Sequence, residues 1–154
     1  MKKVVALIGP SDPSREVYQD AYIVGKLIAR EGWTLVNGGG PGVMEASAKG
    51  VREEGGISIG IIPYGEFRGF NAFIDVVIPT GIQEMRNFLI IKAAHAVIVC
   101  GYSEGTLIEI SIANKLKKYM VGLHVPDVPG VVMEKAGDPE EAVLKVKKFL
   151  EVLA

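Results

Sequence analysis

Asn37-Gly38-Gly39-Gly40-Pro41-Gly42-Val43-Met44-Glu45-Ala46-Ser47 lies between the apolar run Trp33-Thr34-Leu35-Val36 and a small-residue helical pattern through Ala48 to Val51. This order predicts a strand, a tight glycine turn and a helix start, the arrangement that aims free backbone N–H groups at an anion. Glycine here permits positive φ and leaves no Cβ between backbone and ligand. Pro41 is expected in the first helical turn, where its missing N–H would have no partner anyway. A helix packed closely on a sheet explains Ala46, Ser47 and Ala48, but not three consecutive glycines followed by Gly42. A phosphate or nucleotide cradle explains both.

Composition bounds the remainder. The chain has 154 residues, 49% of them apolar, and a formal net charge of -1. That length suits one domain, 1–154, with a full core. A near-neutral balance argues against a nucleic-acid surface, which calls for a basic excess. The single cysteine, Cys100, excludes an internal disulfide framework and suits a reducing compartment. No apolar run approaches the roughly 20 residues that span a bilayer, and Met1 to Gly9 reads as a first buried strand rather than a signal peptide. The expectation is a cytoplasmic protein without membrane or nucleic-acid partners.

Strand and helix patterns alternate from there. Val4 to Ile8 is a β-branched apolar run of the kind covered on both faces. Gly9-Pro10-Ser11 breaks it, and Asp12-Pro13 is expected to cap a helix that reaches Arg30. Strand two is Trp33 to Val36, followed by the glycine turn and a helix to about Glu54. Ile57 to Ile62 forms strand three, and the irregular stretch from Pro63 to Phe73 is a candidate loop over the site. Ile74 to Ile78 is strand four. Thr80-Gly81-Ile82-Gln83 has capping-box spacing and is expected to open one apolar helix to about Ala94. Ala96 to Cys100 is strand five, a turn from Gly101 to Gly105 leads to a helix ending near Tyr119, and Met120 to Val125 is strand six. Asp127 to Lys135 holds a short edge strand, and Asp138-Pro139 caps a final amphipathic helix with Val143, Val146, Phe149, Leu150 and Leu153 inward. This alternation predicts a single α/β domain built on a doubly wound, mainly parallel sheet. The two glycine-bearing turns then share a crevice at the switch point.

Two charged residues fall beside that crevice. Arg86 sits one turn inside the apolar helix, where a charge needs a partner or a wet cleft. Glu109 stands in Gly105-Thr106-Leu107-Ile108-Glu109, where Thr106 and Glu109 have capping-box spacing and both can face a ligand.

These segments carry a resemblance. Asn37 to Ala46 resembles the GGGPGxMEA segment of the LOG family, the lysine decarboxylase-like phosphoribohydrolases that activate cytokinin nucleotides. Gly105 to Glu109 resembles the end of that family's PGGxGTxxE motif, and Arg86 falls at its conserved arginine. The similarity runs from the first strand to about residue 118. It implies a Rossmann-like fold, a homodimer, a nucleoside 5′-monophosphate ligand, and Arg86 with Glu109 as the catalytic pair. The phosphate-binding positions it implies are Gly9, Ser11, Gly38, Gly39, Gly40, Gly42, Met44, Asn87, Ser103, Gly105 and Thr106. Gly101-Tyr102-Ser103 replaces the family's Pro-Gly-Gly, and Asn87 replaces a lysine. Those departures resemble the molybdenum cofactor carrier proteins, which bind a pterin phosphate and catalyse nothing known.

Three functions therefore stand as expectations. A phosphoribohydrolase would use Glu109 to stabilise an oxocarbenium-like sugar or activate water while Arg86 positions phosphate or ribose. A carrier or sensor would use the same cradle for a nucleotide or molybdopterin without chemistry. A purely structural domain would bind no anion. No required cofactor and no metal site are expected, and the assembly expected is a homodimer or homotetramer, with Phe88 to Ile91 as an interface candidate. His95 and His124 read as satisfied strand-end histidines, Cys100 as a small buried hydrophobe.

Overall fold

Val4–Ile8 forms β1 at the centre of a seven-stranded sheet in the computed structural model, which describes residues 1–153. Val5 to Ile8 are buried because helices cover both faces of the sheet, so this run is continuous rather than alternating. The other strands are β2 (Thr34–Asn37), β3 (Ile57–Ile62), β4 (Val76–Pro79), β5 (Ala96–Cys100), β6 (Met120–Leu123) and β7 (Glu134–Lys135). They pair in the order β4-β3-β2-β1-β5-β6-β7, every pair parallel. Val5 lies opposite Leu35 on one side and Ala96 on the other. The chain steps outward from β1 to β4 and returns across β1 to β5, which makes the β1–β5 boundary the topological switch point of a Rossmann-like sheet.

Five helices complete the layers: α1 (Arg15–Arg30), α2 (Val43–Glu53), α3 (Arg86–Ala93), α4 (Glu104–Lys115) and α5 (Pro139–Leu153). Residues of α1, α2 and α5 share one core with Leu7, Leu35 and Ile98. Residues of α3 and α4 share the opposite core with Ala6, Ile8, Val36 and Val99. Each such fully buried Leu or Ile contributes about 1.5–3 kcal/mol relative to exposure. No helix among the described residues is long and apolar enough to cross a membrane.

Helix starts are where the structure departs from expectation. Ser14, not Asp12, caps α1: it is extended at φ -64 and ψ 165, and its hydroxyl accepts the Val17 N–H at 3.2 Å. Pro41 lies ahead of α2 rather than in its first turn. Gly42 at φ 72 turns the chain first, and its carbonyl then accepts the Ala46 N–H at 2.9 Å. Thr80 opens no helix, because its hydroxyl donates to the Ile62 carbonyl at 2.7 Å and ties the chain to the end of β3. The expected long helix is a 3-10 turn over Gln83–Met85, entered at φ 54 on Gln83, followed by the eight-residue α3. Helix α4 stops at Lys115 because Lys117 adopts φ 56 and Lys118 N–H returns to the Ala113 carbonyl, a Schellman closure. Asp138 caps α5 as read, accepting the Glu141 N–H at 2.8 Å, while Leu153 is exposed.

Candidate functional site

Strands β1, β2 and β5 all end on one edge, so Gly9, the glycine turn and the Gly101 turn open into the same crevice. Asn37 shapes the glycine turn. Its carbonyl oxygen Oδ1 accepts the Gly39 N–H at 2.8 Å, an Asx turn, and its amide Nδ2 donates to the Met44 carbonyl at 3.0 Å and Ser47 Oγ at 3.2 Å. Gly42 must be glycine for two reasons. Its φ is 72, and a Cβ there would come within 2.5 Å of the Ser11 carbonyl and 2.6 Å of the Pro10 carbonyl. Asn71, from the irregular loop, donates Nδ2 to the Gly39 and Gly40 carbonyls at 3.2 and 2.8 Å, fastening that loop to the turn.

Arg86 enters beneath the turn. Its Nη1 donates to the Gly38 carbonyl at 2.7 Å and the Ile61 carbonyl at 2.8 Å, so one cation bridges the ends of β2 and β3. A Cβ on Gly38 would collide with that same Nη1. Arg86 Nε is buried with no hydrogen-bond partner among the described residues. Burial pulls the guanidinium below its ordinary pKa, while the negative charge of Glu109 and Glu84 and the nearby Tyr64 oppose that pull. Burial pushes the Glu109 carboxyl up to about 7, with Arg86 opposing and Glu84 adding to the rise. Arg86 and Glu109 face the same cavity of about 80 Å³, bordered also by Ile8, Gly9, Gly38, Met44, Glu84, Asn87, Gly105 and Ile108. Helices α2 and α4 begin at its rim, and both N-termini favour negative charge there. A group titrating near neutrality beside a buried cation can also exchange a proton with a ligand.

The cavity thus gathers Gly9, Gly38, Met44, Arg86, Asn87, Gly105 and Glu109. Gly39, Gly40 and Gly42 form the turn behind it. Ser11 is exposed, and it is its carbonyl that faces Gly42. Ser103 and Thr106 are engaged with each other: Ser103 Oγ caps α4 by accepting the Thr106 N–H at 3.3 Å, and the two hydroxyls lie 2.9 Å apart. With Ser103 at the cap, Thr106 and Glu109 form no capping box, and Glu109 is free to face the cavity. Tyr102 lies outside the cavity lining and is 39% exposed, so it neither lines nor blocks it. Asn71 and Tyr64 belong to the loop read as covering the site, though the role of neither was legible, and Glu84 was not legible as a neighbour. The Asx signal at Asn37 was available, because a strand-end asparagine before glycine favours that turn.

The discounted residues are paired or buried. His95 Nδ1 accepts the Val4 N–H at 3.0 Å, and His124 Nε2 lies 2.6 Å from Asp20 Oδ2. Cys100 is fully buried, and burial pushes its thiol up to about 12.

Known proteins share this chain's family and fold. A family model described as the SLOG cluster4 family matches residues 2–153. An uncharacterized protein of Archaeoglobus fulgidus is 41% identical over 139 residues, covering 90% of this chain and 91% of its own length. The structure of the molybdenum cofactor binding protein from Rippkaea orientalis superposes with TM-score 0.93 at 29% identity, over 97% of this chain and 98% of that one. A Moco carrier protein from Chlamydomonas reinhardtii superposes with TM-score 0.89 at 29% identity, over 98% and 99%. The chain belongs to the SLOG cluster4 family, within the LOG-like superfamily, and its fold is that of the molybdenum cofactor carrier structures.

Proposed function

We propose that this protein binds a phosphorylated pterin of the molybdenum cofactor type and carries it without transforming it. The observation that carries the reading is Arg86, a cation with a buried, unpartnered Nε set beside two helix N-termini and a glycine turn. A buried cation is costly without a countercharge, and an anion in the crevice supplies that charge. The cavity of about 80 Å³ suits a phosphate group, whereas whole ligands of drug size occupy roughly 300 Å³ or more. The phosphate therefore seats at the glycine turn and the pterin extends over the open rim near Glu84 and Ile108. Likeness to the carrier structures supports the same assignment.

A second reading rests on Glu109. A carboxyl near neutrality beside Arg86 is suited to hydrolysis of a nucleoside 5′-monophosphate: water adds to the sugar carbon, the N-glycosidic bond breaks, and the base leaves protonated. Arg86 would hold phosphate or ribose while Glu109 assists the water.

The test is anaerobic incubation with molybdenum cofactor released from a molybdoenzyme, in parallel with AMP and other nucleoside 5′-monophosphates. The carrier reading expects pterin fluorescence to co-elute with the protein, that co-elution to fall in Arg86→Ala, and no free base to appear. Base release that stops in Glu109→Gln would establish the hydrolase instead. Binding of neither ligand would remove both.

A further inference from the structure

We propose that Met44 is the residue that decides what the cradle admits, its thioether occupying the anion position in the free protein and swinging out when a phosphate group seats. The inference rests on the phosphate-binding reading above. Gly40 N–H, in the middle of the glycine turn, donates to Met44 Sδ at 3.3 Å. The side chain lies folded back across the turn: Sδ comes within 2.9 Å of where a Cβ on Gly38 would stand, and Cε within 2.8 Å of one on Gly40. The absence of side chains at Gly38 and Gly40 therefore serves Met44 as well as a ligand.

The Met44 backbone is fixed, since its carbonyl accepts from Asn37 Nδ2 at 3.0 Å. Its side chain is not, having rotatable bonds throughout and only a weak acceptor to hold it. A thioether keeps the Gly40 N–H from being orphaned without binding it strongly. A phosphate oxygen makes a charge-assisted bond to the same N–H and displaces it. Met44 shares the cavity lining with Arg86 and Glu109, so its departure both frees the donor and widens the space. A neutral ligand brings no comparable drive. Met44 thereby selects for an anionic group and lowers the apparent affinity of every ligand by the cost of moving it.

The test uses protein labelled with 13C at the methionine methyl groups, titrated with inorganic phosphate and with ribose 5-phosphate. Calorimetry runs in parallel on wild type, Met44→Ala and Met44→Leu. Met44→Ala identifies the Met44 methyl resonance among those of the five methionines. The expected result is a shift of that resonance tracking phosphate occupancy, with binding about tenfold tighter in Met44→Ala. Met44→Leu keeps the bulk but not the acceptor, and a smaller gain of about threefold is expected, which preserves the test should the alanine variant fold poorly. A Met44 methyl that stays in place at saturation, or weaker binding in Met44→Ala, would overturn the inference while leaving phosphate binding intact. Failure of wild type and both variants to bind either ligand would overturn the phosphate-binding reading and this inference with it.

Discussion

The two edges of the sheet carry cavities of opposite character. At the edge where the strands end, about 80 Å³ is bordered by Arg86 with an orphaned Nε and by Glu109 displaced toward neutrality. At the opposite edge, a larger cavity of about 340 Å³ is lined by Asn114, Lys117, Lys118, Tyr119, Val132 and Phe149. There the polar groups answer one another. Tyr119 donates to Glu134 Oε2 at 2.7 Å, Asn114 donates to the Gly130 carbonyl and accepts from Val132 N–H, and Lys118 donates to the Ala94 carbonyl at 2.8 Å. The Tyr119 and Phe149 rings stack with centroids 4.3 Å apart on the wall of this cavity. Volume alone does not single out the smaller cavity. Unmet hydrogen-bonding capacity favours the smaller one, because a folded protein retains it only where something else pays the cost.

That contrast can be broken by substitution. The largest effect is expected at Gly42→Ala, where positive φ and the Pro10 and Ser11 carbonyls together cost about 3 kcal/mol in urea unfolding. The same change at Gly130, with φ 79 but nothing near its Cβ position, should cost only about 1 kcal/mol. Equal losses would show that crowding at the turn is relieved by backbone movement.

Arg86→Ala should weaken sulfate or phosphate binding about tenfold or more, as expected for losing a charged donor, whereas Lys118→Ala should leave it unchanged. Calorimetry on both variants checks this, and a shared loss would erase the distinction between the edges.

A pH series sharpens it further. The folded pKa of Glu109, about 7, lies above its ordinary 4.5, so the folded chain holds a proton that the unfolded chain releases between those values. Its contribution to stability is fully present below 4.5 and is lost as pH rises through 7. Urea unfolding across that window should show the decline in wild type and a flatter profile in Glu109→Gln. Sulfate, whose charge is constant over the range, should also bind more tightly below pH 7 than above it, as protonation of Glu109 removes a negative charge from beside Arg86. A flat affinity profile would mean that Glu109 does not sense the bound anion.

The smallest effect belongs to the opposite edge. Tyr119→Phe removes one hydrogen bond to Glu134 and should cost about 1 kcal/mol in thermal or urea unfolding, with phosphate affinity unchanged.

Much of the scaffold was legible because it depends on short-range pattern. The bounds of β1, β3 and β5 follow directly from the apolar runs Val4–Ile8, Ile57–Ile62 and Ala96–Cys100, each ended by a turn residue. The glycine turn was legible for the same reason, as was Arg86 as a charge in an otherwise apolar helical stretch, whereas Glu109 was singled out by a capping-box spacing that Ser103 supplants. Most helix starts were not legible, Asp138 before α5 excepted, because several polar or small residues compete for each cap and the backbone dihedrals at Ser14, Gly42 and Ser103 settle the competition.

By itself, then, the sequence determined the order of strands and helices, the parallel doubly wound sheet, and the presence of a tight glycine turn between β2 and α2. Local periodicity and the special conformations of glycine are written into adjacent residues. Only the tertiary structure decided which groups meet there. Arg86 finds the carbonyls of Gly38 and Ile61, Asn71 fastens the loop to the turn from more than thirty positions away, Met44 folds over Gly40, and Ser103 with Thr106 satisfy each other instead of a ligand. Those pairings depend on distances set by the packing of helices on both faces of the sheet, which no stretch of neighbouring residues specifies.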